Sequence, residues 1–420
     1  MQTKTTYFPS LENVKAASLN LKGVASITPL SQNFQYSKKF GATILFKRED
    51  LQVVRSYKIR GAYNKMSSLV AQQKERGIVC ASAGNHAQGV ALSCKLLKIK
   101  GTIYMPSPTP NQKIEQVKMF GEEYIDVVIE GDTFDDAYHA AMLDCESQNK
   151  TFIHPFNDEK VIEGQATVGL EILDQTALKI DYVFVAVGGG GLSSGLSSVF
   201  KYLSPETKII GVEPEGAPSM TQSIKNHKNT PLHNIDSFVD GAAVKRVGDL
   251  NFEICQQHLS DMFTIPEGKI CQTILDLYNK DAIVVEPAGA LSIAGLDYYA
   301  DKIRGKNVVC IVSGSNNDIT RTAEIKERAL LFANLKHYFI IKFPQRAGAL
   351  KEFLDDILGP NDDITHFEYT KKTNRENGAA VVGLELKSSD DLAPLIAKMK
   401  EKKFYGDYLN DKPDLFQFLV

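Results

Sequence analysis

YVFVAVGGGGL at 182–192 decides the fold of this chain of 420 residues. An apolar, β-branched run at 181–187 reads as a buried strand, and a helical pattern at 193–202 follows the four glycines. Without Cβ atoms, successive backbone N–H groups can converge on one phosphate, and the helix dipole adds to the attraction. In open sequence a glycine run reads as a flexible linker, whereas the strand before this one and the helix after it favour a phosphate. The loop contains no Lys or Arg and does not follow GxxxxGK[ST], which disfavours a nucleotide triphosphatase.

Outward from this point the same alternation repeats. Strand-like runs at 42–46, 77–81, 101–105, 126–129, 208–212 and 307–312 are separated by stretches of helical period at 57–75, 86–97, 133–148 and 164–176. Such an order predicts an α/β fold with mostly parallel strands, whose ligands collect beyond the strands' carboxyl ends. From 337 onward the pattern becomes strand, helix, strand, strand, helix, strand. Its strands are expected at 337–343, 364–373, 378–387 and 415–420. The first helix, 349–358, would bury Leu350, Phe353, Leu354, Ile357 and Leu358 on one face before Gly359 and Pro360 stop it. This is a ferredoxin-like βαββαβ unit. The expected domains are 1–333 and 334–420.

Composition narrows the function classes. Hydrophobic residues make up 43% and charged residues 24%, as in ordinary globular proteins. Lys and Arg number 48 against 51 Asp and Glu, a net charge of −3, so no basic excess attracts nucleic acid or anionic lipid. No stretch approaches the ~20 apolar residues of a membrane span, and the first thirty residues mix charges into their apolar positions. The six cysteines, at 80, 94, 145, 255, 271 and 310, form no CxxC pair. Their scatter favours a reduced, cytoplasmic compartment and offers no zinc site.

Three further segments carry chemistry. In SYKIRGA (56–62), Lys58 stands at the start of a predicted helix between an aromatic and an aliphatic residue, where desolvation would lower its pKa and leave a neutral amine. Taken alone it reads more simply as a solvated surface charge. SAGNHAQG (82–89) follows one strand and opens a helix, so its N–H groups, the Ser82 hydroxyl and the Asn85 amide can cradle a carboxylate; a plain helix cap is the simpler reading. SGSN (313–316) ends the last core strand. Its first hydroxyl can meet a ring nitrogen or close a local turn. A phosphate cup, an amine nucleophile and a ring contact together describe one cofactor.

These four segments, in this order, resemble pyridoxal-phosphate enzymes of the tryptophan-synthase-β type (fold type II), and among them the threonine dehydratases. The resemblance covers about residues 5–330 and implies a catalytic unit of two subdomains, the smaller at about 48–155 inserted in the larger. It implies Lys58 as the Schiff-base lysine and catalytic base, Asn85 as the partner of the pyridoxal 3′-oxygen, and Gly188, Gly189, Gly190, Gly191 and Leu192 as the phosphate cup. Ser313 would meet the ring nitrogen, while Ser82, Ala83, Gly84, Asn85 and His86 would hold the substrate carboxylate. PQRAGAL (344–350) is similar to the ligand turn of ACT-like regulatory domains, which implies Gln345, Arg346, Ala347 and Gly348 as regulatory residues. The activity implied is deamination of L-threonine, with L-serine secondary, in isoleucine biosynthesis. Isoleucine or valine would be the effector, and the chain would act as a homotetramer or homodimer.

Two alternatives stand beside it. Serine dehydratases and racemases share the motifs, but the racemases resembled carry a serine where this chain has Ala83. Their divalent-cation segment is similar to 213–219, where Glu213 and Ala217 match and Ser219 replaces an acidic ligand, so no metal is expected. A catalytically silent amino-acid sensor is the other alternative, and the intact Lys58, Asn85, glycine cup and Ser313 weigh against it.

Overall fold

The computed structural model describes residues 7–369, 377–412 and 414–416. Contacts divide the chain into two units, Met1–Ile319 and Thr320–Val420. Helix Thr322–Phe332 thereby joins the second unit, ahead of the boundary expected at 333/334. It buries Ile325 and Ala329, and its Glu327 accepts the Tyr338 hydroxyl at 2.5 Å.

The strands of the first unit are β1 (Leu30–Gln32), β2 (Thr43–Arg48), β3 (Ile78–Ala81), β4 (Gly101–Met105), β5 (Ile125–Ile129), β6 (Thr151–Phe152), β7 (Tyr182–Ala186), β8 (Lys208–Pro214), β9 (Asp261–Ile265) and β10 (Asn307–Val312). They form two sheets, β1-β2-β10-β7-β8-β9 and β5-β4-β3-β6. All neighbours are parallel except β1 with β2. The central strands β7 and β10 are buried almost throughout, which is why they read as continuous apolar runs.

Val183, Val185, Ile209, Val309 and Ile311 of the larger sheet pack against Leu196 and Phe200 of helix Gly191–Leu203. The smaller sheet has its own core, with Ile78, Cys80 and Ile103 packed on Val90 and Cys94 of helix Asn85–Leu97. The smaller sheet's strands all lie between β2 and β7 in the chain, so the segment carrying it departs from the larger sheet and returns to it.

The helix expected at 57–75 is two helices, Lys58–Ser67 and Ala71–Arg76. Leu69 turns inward between them, and the Gln73 side chain accepts the Val70 N–H to start the second. Among the described residues no helix is long and apolar enough to cross a membrane.

In the second unit, β11 (Lys336–Pro344), β12 (Asp363–Tyr369), β13 (Asn377–Glu385) and β14 (Tyr405–Tyr408) form an antiparallel sheet in the order β12-β13-β11-β14. With helix Leu392–Glu401 before β14, this is the ferredoxin-like βαββαβ order. The fourth strand is not at 415–420. Residues 415 and 416 are helical, the rest of that segment lies outside the described residues, and 405–408 takes the edge beside β11, with Phe404 buried at its start. The part of the second expected strand at 370–373 also lies outside the described residues.

The helix between β11 and β12, Ala349–Glu352, continues as a wider π turn over Phe353–Ile357. Phe353 and Ile357 are buried, but Leu350 and Leu354, expected in the core, are exposed. They line a surface pocket instead.

Candidate active site

Four segments reach one cavity, each from just beyond the carboxyl end of a parallel strand: Lys58 after β2, Asn85 after β3, the 188–192 turn after β7 and Ser313 after β10. Local pairing holds the first and last together. The Tyr57 N–H donates to Ser313 O at 3.3 Å, the Ser315 N–H to Arg55 O at 2.9 Å, and Ser56 forms a bridge with Gly314. Arg55 has φ +60, a left-handed conformation that turns the chain into the helix opened by Lys58.

The glycine turn is built for close approach. Gly190 has φ +90, and a Cβ on Gly189 would stand 2.2 Å from the Phe156 ring. The turn is pinned by Asn251, whose Nδ2 donates to Gly189 O at 2.8 Å and to Phe156 O at 3.0 Å. The first N–H groups of helix Gly191–Leu203 have no partners within that helix, so the turn offers an anion several backbone donors.

Lys58 Nζ donates to Pro155 O at 3.0 Å and lies 5.4 Å from the centre of the Tyr57 ring. Burial pushes its ammonium down to about 8, with Glu286 acting in the opposite direction. The neighbouring histidines are neutral, since burial, with Lys58 nearby, holds His86 at about 3 and His154 at about 4. His154 Nδ1 accepts the N–H groups of Phe156 and Asn157, at 3.2 and 2.8 Å. The Ser313 hydroxyl donates to Ala288 O at 3.1 Å.

The remaining residues of the 82–86 segment do not line this cavity. Ser82 Oγ accepts the Gly84 N–H at 3.3 Å within the turn, and the buried His86 ring is engaged by Ile153 O at 2.8 Å. Glu213 is also committed elsewhere: its carboxyl accepts the Met220 and Thr221 N–H groups at 2.7 and 2.9 Å and caps helix Ser219–Lys225. Ser219 donates to Val244 O.

Three residues that no sequence motif singles out belong to the site: Phe156, Asn251 and Glu286. Phe156 and Asn251 hold the glycine turn. Glu286 is a buried carboxyl on the cavity wall, hydrogen-bonded to Asn85. In the second unit, Gln345, Arg346 and Gly348 line the surface pocket together with Leu350, Leu354 and Phe367, while Ala347 does not.

A family model for pyridoxal-phosphate dependent enzymes matches residues 22–314, and one for the C-terminal regulatory domain of threonine dehydratase matches 327–419. The biosynthetic L-threonine dehydratase IlvA of Bacillus subtilis is 54% identical over 410 residues, covering 98% of this chain and 97% of that one. The protein of the same name from Halalkalibacterium halodurans is 53% identical, covering 98% and 99%. Among solved structures, the processed form of threonine deaminase isoform 2 from Solanum lycopersicum superposes with a TM-score of 0.72 at 40% identity, covering 77% of this chain and 95% of that chain.

Fold and site therefore define a pyridoxal-phosphate-dependent enzyme of the fold type II α/β class with an appended regulatory domain. The chain belongs to the biosynthetic L-threonine dehydratase family. The cofactor is pyridoxal phosphate, and the residues present fit it. A turn closed to any Cβ faces the cavity with backbone donors, a buried Asn85 Oδ1 has no hydrogen-bond partner, and a lysine of lowered pKa stands on the same wall.

Proposed function

We propose that the first unit deaminates L-threonine to 2-oxobutanoate and ammonia, the committed step towards isoleucine, with L-serine as a slower substrate. The convergence of Lys58, Asn85, the 188–192 turn and Ser313 on one cavity carries this reading. When bound, pyridoxal phosphate supplies an electron sink that makes the substrate's α-proton removable and lets its β-hydroxyl depart.

The chain's own residues do the rest. The N–H groups of Gly188 through Leu192 hold the phosphate, Asn85 the 3′-oxygen and Ser313 the ring nitrogen. Lys58 is the cofactor's covalent anchor at rest. Its Nζ, when free and neutral, would take the α-proton. A neutral hydroxyl at the ring nitrogen, in place of a carboxylate, favours elimination over transamination. Ser82 and the backbone of Ala83 through His86, of which only Asn85 lines the cavity, would receive the substrate carboxylate beside it. Water is lost, and the released enamine tautomerises and takes water back as ammonia departs.

The second unit binds isoleucine or valine as effector in the pocket of Gln345, Arg346 and Gly348. Its apolar wall of Leu350, Leu354 and Phe367 suits a branched side chain. The enzyme works as a homotetramer or homodimer in the cytoplasm.

The test is product analysis with purified protein: L-threonine should yield 2-oxobutanoate and ammonia in equal amounts. Because the Ala83 side chain has no transferable proton, prolonged incubation with L-serine should give pyruvate and at most a trace of D-serine, and Ala83→Ser should raise the D-serine share. D-serine formed by the unsubstituted enzyme as fast as pyruvate would contradict the one-sided proton transfer.

A further inference from the structure

Glu286 lies outside every motif in the sequence. It is the N-cap residue of helix Pro287–Ala294, and its buried carboxyl reaches the wall of the cofactor cavity. Oε1 accepts a hydrogen bond from Asn85 Nδ2 at 2.7 Å, and Oε2 accepts the Asn316 N–H at 3.2 Å. Two glycines keep room for it: a Cβ would stand 2.4 Å from Oε1 at Gly314 and 3.3 Å at Gly241.

In this arrangement Asn85 Oδ1 is buried without a hydrogen-bond partner, next to a carboxyl that can carry a proton. A buried carbonyl oxygen lacking a donor is costly. Half a turn of the amide exchanges its oxygen and nitrogen with little change in shape. A proton on Glu286 Oε1 then meets Oδ1, and the orphan is satisfied.

We propose that Glu286 is a positioning residue that carries a proton in the working enzyme and donates it in a hydrogen bond from Oε1 to Asn85 Oδ1, which turns the Asn85 NH2 group into the cavity towards the 3′-oxygen of the pyridoxal ring. The proposal rests on Asn85 being the partner of that oxygen. One proton sits on Oε1, and Oε2 continues to accept from Asn316.

The groups facing the carboxyl come from several elements. Burial, then Asp240, push it up to about 7, while the Asn85 hydrogen bond, Lys113 and the Asn316 N–H favour the charged form. Tyr57 and Lys58 face it from the helix that bears the lysine. Turning the Asn85 amide replaces a hydrogen bond to the charged form by one from the protonated form, so the proton is held through pH 7 and lost on the alkaline side, and the Asn85 NH2 is directed at the cofactor below that.

Glu286→Gln supplies a permanent N–H donor of the same shape, and Glu286→Ala supplies none. The measurement is the affinity of cofactor-stripped protein for pyridoxal phosphate between pH 6 and 9, followed by absorbance, with the pH profile of threonine turnover beside it. The unsubstituted protein should lose affinity towards the alkaline end of that range. Glu286→Gln should keep the acid-side affinity throughout, and Glu286→Ala should bind about tenfold more weakly at every pH. A Gln variant as weak as the Ala variant would overturn the proposal, as would a Gln variant that retains the alkaline loss. Asn85→Ala separates the two readings: unchanged affinity there defeats the role of Asn85 itself, whereas weakened affinity there with a failed Gln rescue defeats only that of Glu286. An infrared protonated-carboxyl band present in the unsubstituted protein and absent from Glu286→Gln supports the proposal without relying on activity, and its absence from both contradicts it.

Discussion

Arg60 and Glu49 meet as a two-pronged fork, Nε to Oε2 and Nη2 to Oε1, both 2.8 Å, with neither side chain reached by solvent. Arg60 lies two residues after Lys58. Its guanidinium also grips Glu171, at 2.6 and 2.9 Å, and Lys47 completes the cluster by donating to Glu171 at 2.6 Å. Burial works to raise the Glu49 carboxyl, but Arg60, seconded by Lys47 and the Thr28 hydroxyl, holds it below the usual carboxylate range. Two cations and two carboxylates thus tie the helix bearing Lys58 to the end of β2 and to helix Glu159–Gln175.

Removing one partner leaves the other charges buried and unmatched. Arg60→Ala should therefore lower the free energy of unfolding by about 3–5 kcal/mol, read from urea titration. A loss under about 1 kcal/mol, the range of exposed ion pairs, would show that the cluster does not hold the helix.

The Phe156 ring fixes how close the glycine turn can lie to its neighbours. Gly189→Ala forces a Cβ to within 2.2 Å of that ring, an overpacking of about 1–3 kcal/mol. Pyridoxal phosphate affinity, titrated by absorbance, should fall roughly tenfold. Phe156→Ala in the same chain should recover part of it. Undiminished affinity in Gly189→Ala would mean that the turn does not hold the phosphate.

The strand–glycine–helix pattern at 182–203 was legible because β7 is buried on both faces and four adjacent glycines have few other uses. The same holds for β10 and for the 85–97 helix. β9 was not legible, since Asp261 opens it and its first four positions are at most half-buried, and β1 and β6 are too short to show a period. The 349–358 helix lies where its period puts it, but Ala349, Phe353 and Ile357 take the buried face, so Leu350 and Leu354, one position further round, fall outside it. Glu286 could not be found by spacing, because only folding brings it to Asn85, 201 residues away. A carboxyl followed by proline, alanine and glycine gives no signal of burial.

Regulation should be separable from chemistry. If isoleucine occupies the pocket of the second unit, a typical coupling of about 1–3 kcal/mol shifts threonine half-saturation about 5- to 150-fold. Replacing Phe367, whose ring forms part of the pocket wall, by Ala should shrink that shift, with turnover in the absence of isoleucine as the control. An undiminished isoleucine response in both Phe367→Ala and Leu354→Ala would place the effector elsewhere.

Borohydride reduction of the holoenzyme followed by tryptic mass analysis identifies the lysine joined to the cofactor, which should be Lys58. A reduced, modified lysine resists trypsin, so the adduct should appear on Ser56-Tyr57-Lys58-Ile59-Arg60 and on no other peptide. Lys58→Ala should give no adduct and lose essentially all threonine turnover, because it removes both the anchor and the base. An adduct on a peptide that lacks Lys58, or full turnover in Lys58→Ala, would contradict the account.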